Sequence, residues 1–312
     1  MKNNAKEKLV VILGPTATGK SHCAIEVAKH LNGEIISGDS MLVYRNMDIG
    51  TAKPTAEELA SVPHHLVNIL PPDADFNVTA FKERAEKLIT EITSRGRLSV
   101  IAGGTGLYIK ALLENYAFNS VGVQNDTRSQ LESYAEQKGK EALHKMLEDL
   151  DAEAADRLHV NDVRRVIRAI EVAQAGEAVN QYGADEMPYD ALVFGLNMER
   201  QFLYERINQR VDKMLADGLE NEVRGLLAAG VPEDAQSMKS IGYRQMLWYI
   251  NGQMSYDDAV DKLKQATRNF AKRQVTWYKR MPYIQWFEID KRLDYDAVIS
   301  EMCWLIKNKW NI

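Results

Sequence analysis

Only two cysteines, Cys23 and Cys303, occur in the 312 residues. That rules out a disulfide framework, and no Cys/His spacing of a zinc site accompanies either thiol. Long apolar runs are also missing. The run near the N-terminus, residues 9–13, falls far short of the roughly 18 residues that cross a bilayer. Neither a signal peptide nor a membrane anchor is expected, and the reading is a protein of the reducing cytoplasm. There is no internal repeat, low-complexity tract or Pro/Gly-rich linker, which removes fibrous and disordered classes. An excess of positive charge is absent too: 39 Lys plus Arg against 44 Asp plus Glu give −5. Spread evenly, that charge would argue against a polyanionic partner.

The charge is not spread evenly. Residues 132–156 hold eight acidic and three basic side chains, so this stretch alone carries −5 and the remainder sums to zero. Within that remainder, Lys262, Lys264, Arg268, Lys272, Arg273, Lys279 and Arg280 follow one another without an acid, on one predicted helix. A solvated helix face usually mixes signs for i,i+4 pairing, and this one does not. Its composition suits an anion-binding surface.

Hydrophobic patterning predicts buried parallel strands at 9–13, 34–37 and 98–102, with amphipathic helices near 21–31 and 80–94 between them. This is βαβ architecture. The β signal then stops until 191–196, and the stretch between reads as several short helices. Helical patterns follow at 199–229, 236–251 and 256–279, then an apolar run at 283–289 and a final helix. The expected fold is α/β: a core with a parallel sheet flanked by helices (1–115 and 190–312), interrupted by an all-helical insertion (116–189). The later strands rejoin the first sheet. No extended apolar pattern demands a partner chain, so a monomer is expected.

The strongest single signal is Gly14-Pro15-Thr16-Ala17-Thr18-Gly19-Lys20-Ser21, directly after one predicted strand and before a helix. It matches the P-loop pattern, a signature of nucleotide-binding and ATP-binding proteins, in the required strand–loop–helix context. Gly14 and Gly19 let the backbone curl so that successive N–H groups face an anion at the positive end of the helix. Lys20 adds a point charge, and the Ser21 hydroxyl is placed to ligate Mg²⁺. A P-loop says polyphosphate without saying what happens to it. Asp39, at the carboxyl end of the 34–37 strand, is either a metal-shell carboxylate or a general base.

Five segments then resemble those of bacterial tRNA dimethylallyltransferases in the same order along the chain. They are the P-loop, residues 37–54 (beginning Ser37-Gly-Asp-Ser), residues 102–108 (Ala102-Gly-Gly-Thr-Gly-Leu-Tyr), residues 241–246 (Ile241-Gly-Tyr-Arg-Gln-Met) and residues 266–277 (Ala266 to Trp277). The resemblance implies transfer of a dimethylallyl group from its diphosphate to N6 of the adenosine just 3′ of the anticodon, with diphosphate leaving and Mg²⁺ assisting. The P-loop would then hold a leaving diphosphate, with Arg210 as a further contact. By the same resemblance Asp39 is the general base, and Thr105 touches the nucleotide or the diphosphate.

The target base must leave the stack of an anticodon loop, so the resemblance also implies a tRNA-binding set. Asp39, Ser40, Met41 and Leu42 lie against the flipped base, and Arg128 of the insertion contacts the RNA. Arg164, Arg165, Val166, Ile167 and Arg168, together with Lys239, Ser240, Ile241, Gly242, Tyr243 and Arg244, match RNA-contacting segments. Lys272 and Arg273 join them from the basic helix, where Trp277 and Tyr278 either stack on RNA or pack in the core. The arginines of 164–168 equally suit a helix face paired to Asp162 and Glu171. His64 and His65 read as structural residues of a loop. Gly106, where many relatives are bulkier, and Lys239-Ser240, which replaces an Arg-containing version, depart from the family pattern. Other readings of the P-loop are an adenylate (AMP, ADP or ATP) dimethylallyltransferase, a small-molecule kinase and a non-catalytic RNA-binding protein. The first would need neither Arg128 nor the basic stripe.

Overall fold

In the computed structural model, residues 6–116, 118, 125–176, 186–292 and 294–312 are described. Parts of the expected insertion, residues 117, 119–124 and 177–185, lie outside them. The chain divides into two compact units, Met1–Asn115 with Glu186–Ile312, and Tyr116–Asp185.

The first unit starts β1 (Lys8–Leu13), α1 (Lys20–His30), β2 (Gly33–Ser37), α2 (Ala56–Ser61), β3 (His64–His65), α3 (Val78–Ser94), β4 (Leu98–Gly103) and α4 (Gly106–Leu113). The second unit supplies α5 (Asn125–Lys138), α6 (Lys140–Leu150), α7 (Ala152–Arg157) and α8 (Val163–Gln174). The first unit resumes with β5 (Asp190–Met198), α9 (Arg200–Ala216), α10 (Leu219–Ala228), α11 (Tyr243–Ile250), α12 (Tyr256–Tyr278), β6 (Gln285–Ile289) and α13 (Tyr295–Trp310).

Among the described residues six strands form one sheet in the order β3-β2-β4-β1-β5-β6, every pair parallel. Burial of both faces explains the unbroken apolar runs. Leu9, Val11 and Leu13 of β1 enter one apolar cluster, whereas Val10 and Ile12 enter the other. This alternation across the pleat is what a strand with helices on both sides requires. The second unit has its own core, in which Leu143 and Leu147 of α6 meet Val166, Ile167 and Ile170 of α8. Among the described residues, no helix is long and apolar enough to cross a membrane.

Three local expectations are corrected. His64 and His65 form a short strand on β2 instead of a loop. The helical pattern at 199–229 breaks at Gly218, whose φ of +99° starts a new helix. The segment before Tyr243 is not helical. Gln236 bonds the Phe76 backbone, Ser237 Oγ donates to Pro72 O, and Gly242 has φ +99°.

At the opposite end of the sheet from the P-loop, Glu34 is 3% exposed. Its carboxylate accepts from His65 Nε2 (2.6 Å), Arg95 Nη2 (2.8 Å) and Arg97 Nη1 (3.3 Å). Burial works against the charged form, but hydrogen bonds from His65 and Arg95 outweigh it and hold the carboxyl below its ordinary range. The stabilisation is therefore present above the unfolded carboxylate pKa and lost as pH falls through the folded one. Arg95 and Arg97 are 46% and 39% exposed and can rehydrate, which limits the cost of losing their partner. Glu34→Gln is expected to lower stability at neutral pH by about 1–3 kcal/mol. Urea titrations should show the gap to the parent narrowing in acid; a gap independent of pH would contradict this account.

Candidate active site

The P-loop connects β1 to α1, and its carbonyls are tied away from the bend. Gly14 O accepts from Tyr278 Oη (3.2 Å), Pro15 O from Thr18 Oγ1 (2.8 Å), Ala17 O from Arg206 Nε (2.9 Å) and Thr18 O from Tyr295 Oη (3.1 Å). By contrast, the N–H groups of Ala17 to Ser21 take no partner among the described residues. Unpaired amides at a helix start form a site for an anion. Gly19 caps the helix at φ +87°, and a Cβ there would meet the Tyr295 ring at 2.5 Å. Nothing larger fits.

Charge at this site is unbalanced. Burial, with the Arg210 guanidinium adding to it, lowers the Lys20 ammonium to a pKa of about 8, while Asp39 pulls the other way. Arg210 is itself lowered by burial and, to a smaller extent, by Arg206, against the pull of Asp39. Lys20 and Arg210 thus share one carboxylate, with Arg206 acting on Arg210, and the surplus positive charge suits an anion.

Asp39 follows β2. Its Oδ1 accepts the Met41 N–H (2.8 Å), which fixes the carboxylate while Oδ2 makes no hydrogen bond among the described residues. Thr105, at the end of β4, braces the same turn: its Oγ1 accepts from Ser40 N (3.1 Å), and its N–H donates to Gly38 O (3.3 Å). A Cβ on Gly103 would stand 2.3 Å from Gly38, so the two strand ends touch backbone to backbone. Ser40, Met41 and Leu42 remain partly exposed beside Asp39. Ser21 is exposed on the first turn of α1, and it borders a small cavity with Ser37, Leu42 and His64.

Gln274 and Tyr278 were not expected to act here. Gln274, 4% exposed, donates to Gly104 O (2.8 Å) and accepts from Thr16 N (2.9 Å). Tyr278 Oη reaches both Gly14 O and Gly104 O. Together they join the P-loop to the β4 end. Their i,i+4 spacing, in line with buried Ala271, is the signal that a face of this basic helix turns inward. Tyr278 is therefore a core residue and not a base-stacking ring.

The remaining expected tRNA-binding residues fall into two groups. Lys239, Arg244, Lys272, Arg273, Arg164 and Arg165 are exposed, Ser240 and Ile241 are partly so, and Arg244 lies over the Trp248 ring. Val166, Ile167, Gly242 and Tyr243 are buried, the inward residues of α8 and of the α11 start, so within the expected RNA-contacting segments 164–168 and 239–244 it is their neighbours that face solvent. Arg165 pairs with Asp162. Arg128 and Arg168 both bind the buried Glu171, Arg128 through two bonds of 3.0 and 2.9 Å. The seven-cation stretch is also not one free face. Lys264 pairs with Asp212, Arg268 donates to Asn208, and Lys279 and Arg280 follow the last helical residue.

A parallel sheet with a P-loop at the carboxyl end of β1, three cations and a neighbouring carboxylate define a P-loop protein. More narrowly, the chain belongs to the IPP transferase family, whose model matches residues 42–281. A tRNA dimethylallyltransferase of Pelotomaculum thermopropionicum is 45% identical over 96% of both chains. That of Carboxydothermus hydrogenoformans is 48% identical over 91% of this chain and 93% of its own. The crystal structure of a tRNA isopentenylpyrophosphate transferase from Bacillus halodurans superposes with TM-score 0.75 at 44% identity, covering 97% of each chain. A eukaryotic dimethylallyltransferase, solved as snapshots acting on tRNA, superposes with TM-score 0.81 at 25% identity, over 97% of this chain and 79% of its own.

Proposed function

We propose that this enzyme transfers the dimethylallyl group of dimethylallyl diphosphate to N6 of the adenosine 3′-adjacent to the anticodon in tRNA, releasing diphosphate. The observation that carries the reading is the placement of Asp39 beside Lys20 and Arg210 at the mouth of the P-loop. One carboxylate and a group of cations are what the two halves of the reaction require. As the allylic C–O bond breaks, the electron pair goes to a diphosphate oxygen, and the P-loop amides, Lys20 and Arg210 stabilise that charge from fixed positions. As the new C–N bond forms, the adenine amine loses a proton, which Asp39 accepts. Thr105 holds the turn that aims Asp39.

Among the described residues no cluster of three or more His, Cys, Asp or Glu stands ready to cage a metal. That suits Mg²⁺, which keeps several waters and takes one or two protein oxygens besides those of a phosphate. The exposed Ser21 hydroxyl is the group that would hold it, which leaves the free oxygen of Asp39 to accept the proton. Bound there, it would add positive charge beside the diphosphate. The reading includes a cytoplasmic monomer.

Incubation of the pure chain with radiolabelled dimethylallyl diphosphate, and with unmodified tRNA or AMP, tests the assignment. Label is expected in tRNA only. Label in AMP but not in tRNA would instead make the enzyme an adenylate dimethylallyltransferase. Replacing both Lys272 and Arg273, exposed on α12, should weaken tRNA binding and reduce the slope of log K against log salt by about 1–2, since each phosphate contact contributes about 0.9. An unchanged slope would return these residues to the solvated surface.

A further inference from the structure

Glu222 belongs to none of the sequence motifs, yet its carboxylate takes four hydrogen bonds. Oε2 accepts the N–H groups of Asp48 (2.7 Å) and Ile49 (2.8 Å), and Oε1 accepts Gly50 N–H (3.0 Å) and the Tyr243 hydroxyl (2.5 Å). Three consecutive amides turned on one oxyanion make a nest, here filled by a side chain of the same protein. Tyr243 is wholly buried, and a Cβ on Gly50 would stand 2.5 Å from its ring. Leu219, at the start of α10, closes the same corner, 2.9 Å from that Cβ position. The conformation leaves room only for glycine.

The segment fastened in this way is the one that carries the site. From Leu42 onward its backbone is laced to residues 68–70, with Asn68 N donating to Leu42 O (3.0 Å), Ile69 N to Val43 O (2.8 Å) and Arg45 N to Leu70 O (2.8 Å). Lys53 Nζ adds bonds to Tyr44 O (2.7 Å), Asp48 Oδ1 (2.6 Å) and Asn68 Oδ1 (2.6 Å). Displacement of residues 48–50 is therefore transmitted along a stiff strip toward Met41 and Asp39. On the other side of the fastening, Tyr243 is followed directly by the exposed Arg244.

We propose that Glu222 is a positioning residue for the transfer reaction. Its carboxylate holds Asp39 and the partly exposed turn 40–42 in register with Arg244 at the start of α11. This rests on the prenyl-transfer reading. The family-like segments 37–54 and 241–246 are then two halves of one joint, and the residue that completes it lies between them in sequence. Glutamine cannot replace it, because an amide offers one acceptor oxygen and turns an NH₂ group toward donors.

The test uses the full chain with dimethylallyl diphosphate and unmodified tRNA, comparing the parent with Glu222→Gln and Tyr243→Phe. For Glu222→Gln, exchange of the Asp48–Gly50 amides is expected to accelerate at least about tenfold by hydrogen-exchange mass spectrometry, the scale of a lost hydrogen bond to a charged group. Exchange in the P-loop should be unchanged. In the same variant kcat should fall and KM for tRNA rise, with KM for the diphosphate within about twofold of the parent. Tyr243→Phe, which removes one of the four bonds, should move the same quantities in the same direction by less. Faster exchange with unaltered kcat and tRNA KM would overturn the proposal, as would exchange that rises equally in the P-loop. Absence of transfer in the parent would overturn the functional reading instead, and would do so without any change in the exchange result.

Discussion

Replacing Asp39 with asparagine is expected to leave tRNA affinity within about twofold while lowering single-turnover transfer by about 10²–10⁴-fold, the range for loss of a general base. Asparagine is nearly the same size and keeps an oxygen for the Met41 N–H that Oδ1 now accepts at 2.8 Å, so the turn is preserved. It loses the ability to take a proton from the adenine amine. It also removes the negative charge that Lys20 and Arg210 share and that repels an anion, so KM for the diphosphate should not rise as kcat falls. Rapid-quench transfer of labelled dimethylallyl diphosphate, together with filter binding of tRNA, separates these effects. Equal losses in binding and turnover would make Asp39 a residue that positions RNA and would leave the base unassigned.

The parts of the fold that could be read from sequence were those set by local rules. The runs at 9–13, 34–37, 98–102 and 191–196 needed burial on both faces, and the P-loop needed only its own glycines and its flanking elements. Thr105 and Asp39 stand at strand ends, where ligand sites are expected in open α/β sheets. What was not legible depends on distant partners. Two histidines at β3 become a strand only because β2 offers Ile35 and Ile36 as neighbours. Residues 236–242 carry a helical pattern, but side-chain bonds to Pro72 and Phe76 compete successfully with the helix. The charge count over 262–280 treated the stretch as one surface, whereas Gln274 and Tyr278 turn one side of it into the site and Lys264 and Arg268 turn another toward α9. Val166 and Ile167 share the family-like segment 164–168 with the arginines around them, and helical periodicity turns them inward.

Lys20→Met is expected to have the second large effect, lowering kcat/KM for dimethylallyl diphosphate by about 10²–10³-fold, as for loss of one preorganised donor to a developing anion. The pH dependence makes this prediction specific. With no anion bound, burial and Arg210 hold the Lys20 ammonium down to a pKa of about 8. A bound diphosphate favours the charged form and raises that pKa, so the contribution of Lys20 to affinity is complete below about pH 8 and is lost as pH rises above it. KM for the diphosphate should climb with pH on the alkaline side in the parent and stay level there in Lys20→Met. A parent KM that is flat through that range would remove Lys20 from the anion site. The stability of the unliganded protein should move the other way. Because the folded pKa lies below the unfolded one, the ammonium opposes folding fully below about pH 8, and the opposition fades as pH rises toward the unfolded value. Lys20→Met, which retains the stem but not the charge, is thus expected to melt at a higher temperature than the parent at neutral pH. Saturating diphosphate should close that gap from the parent's side, because binding to the folded state alone stabilises it. A variant that melts lower than the parent would mean that Lys20 is held by the fold and not strained by it, and the unbalanced charge at the P-loop would need another explanation.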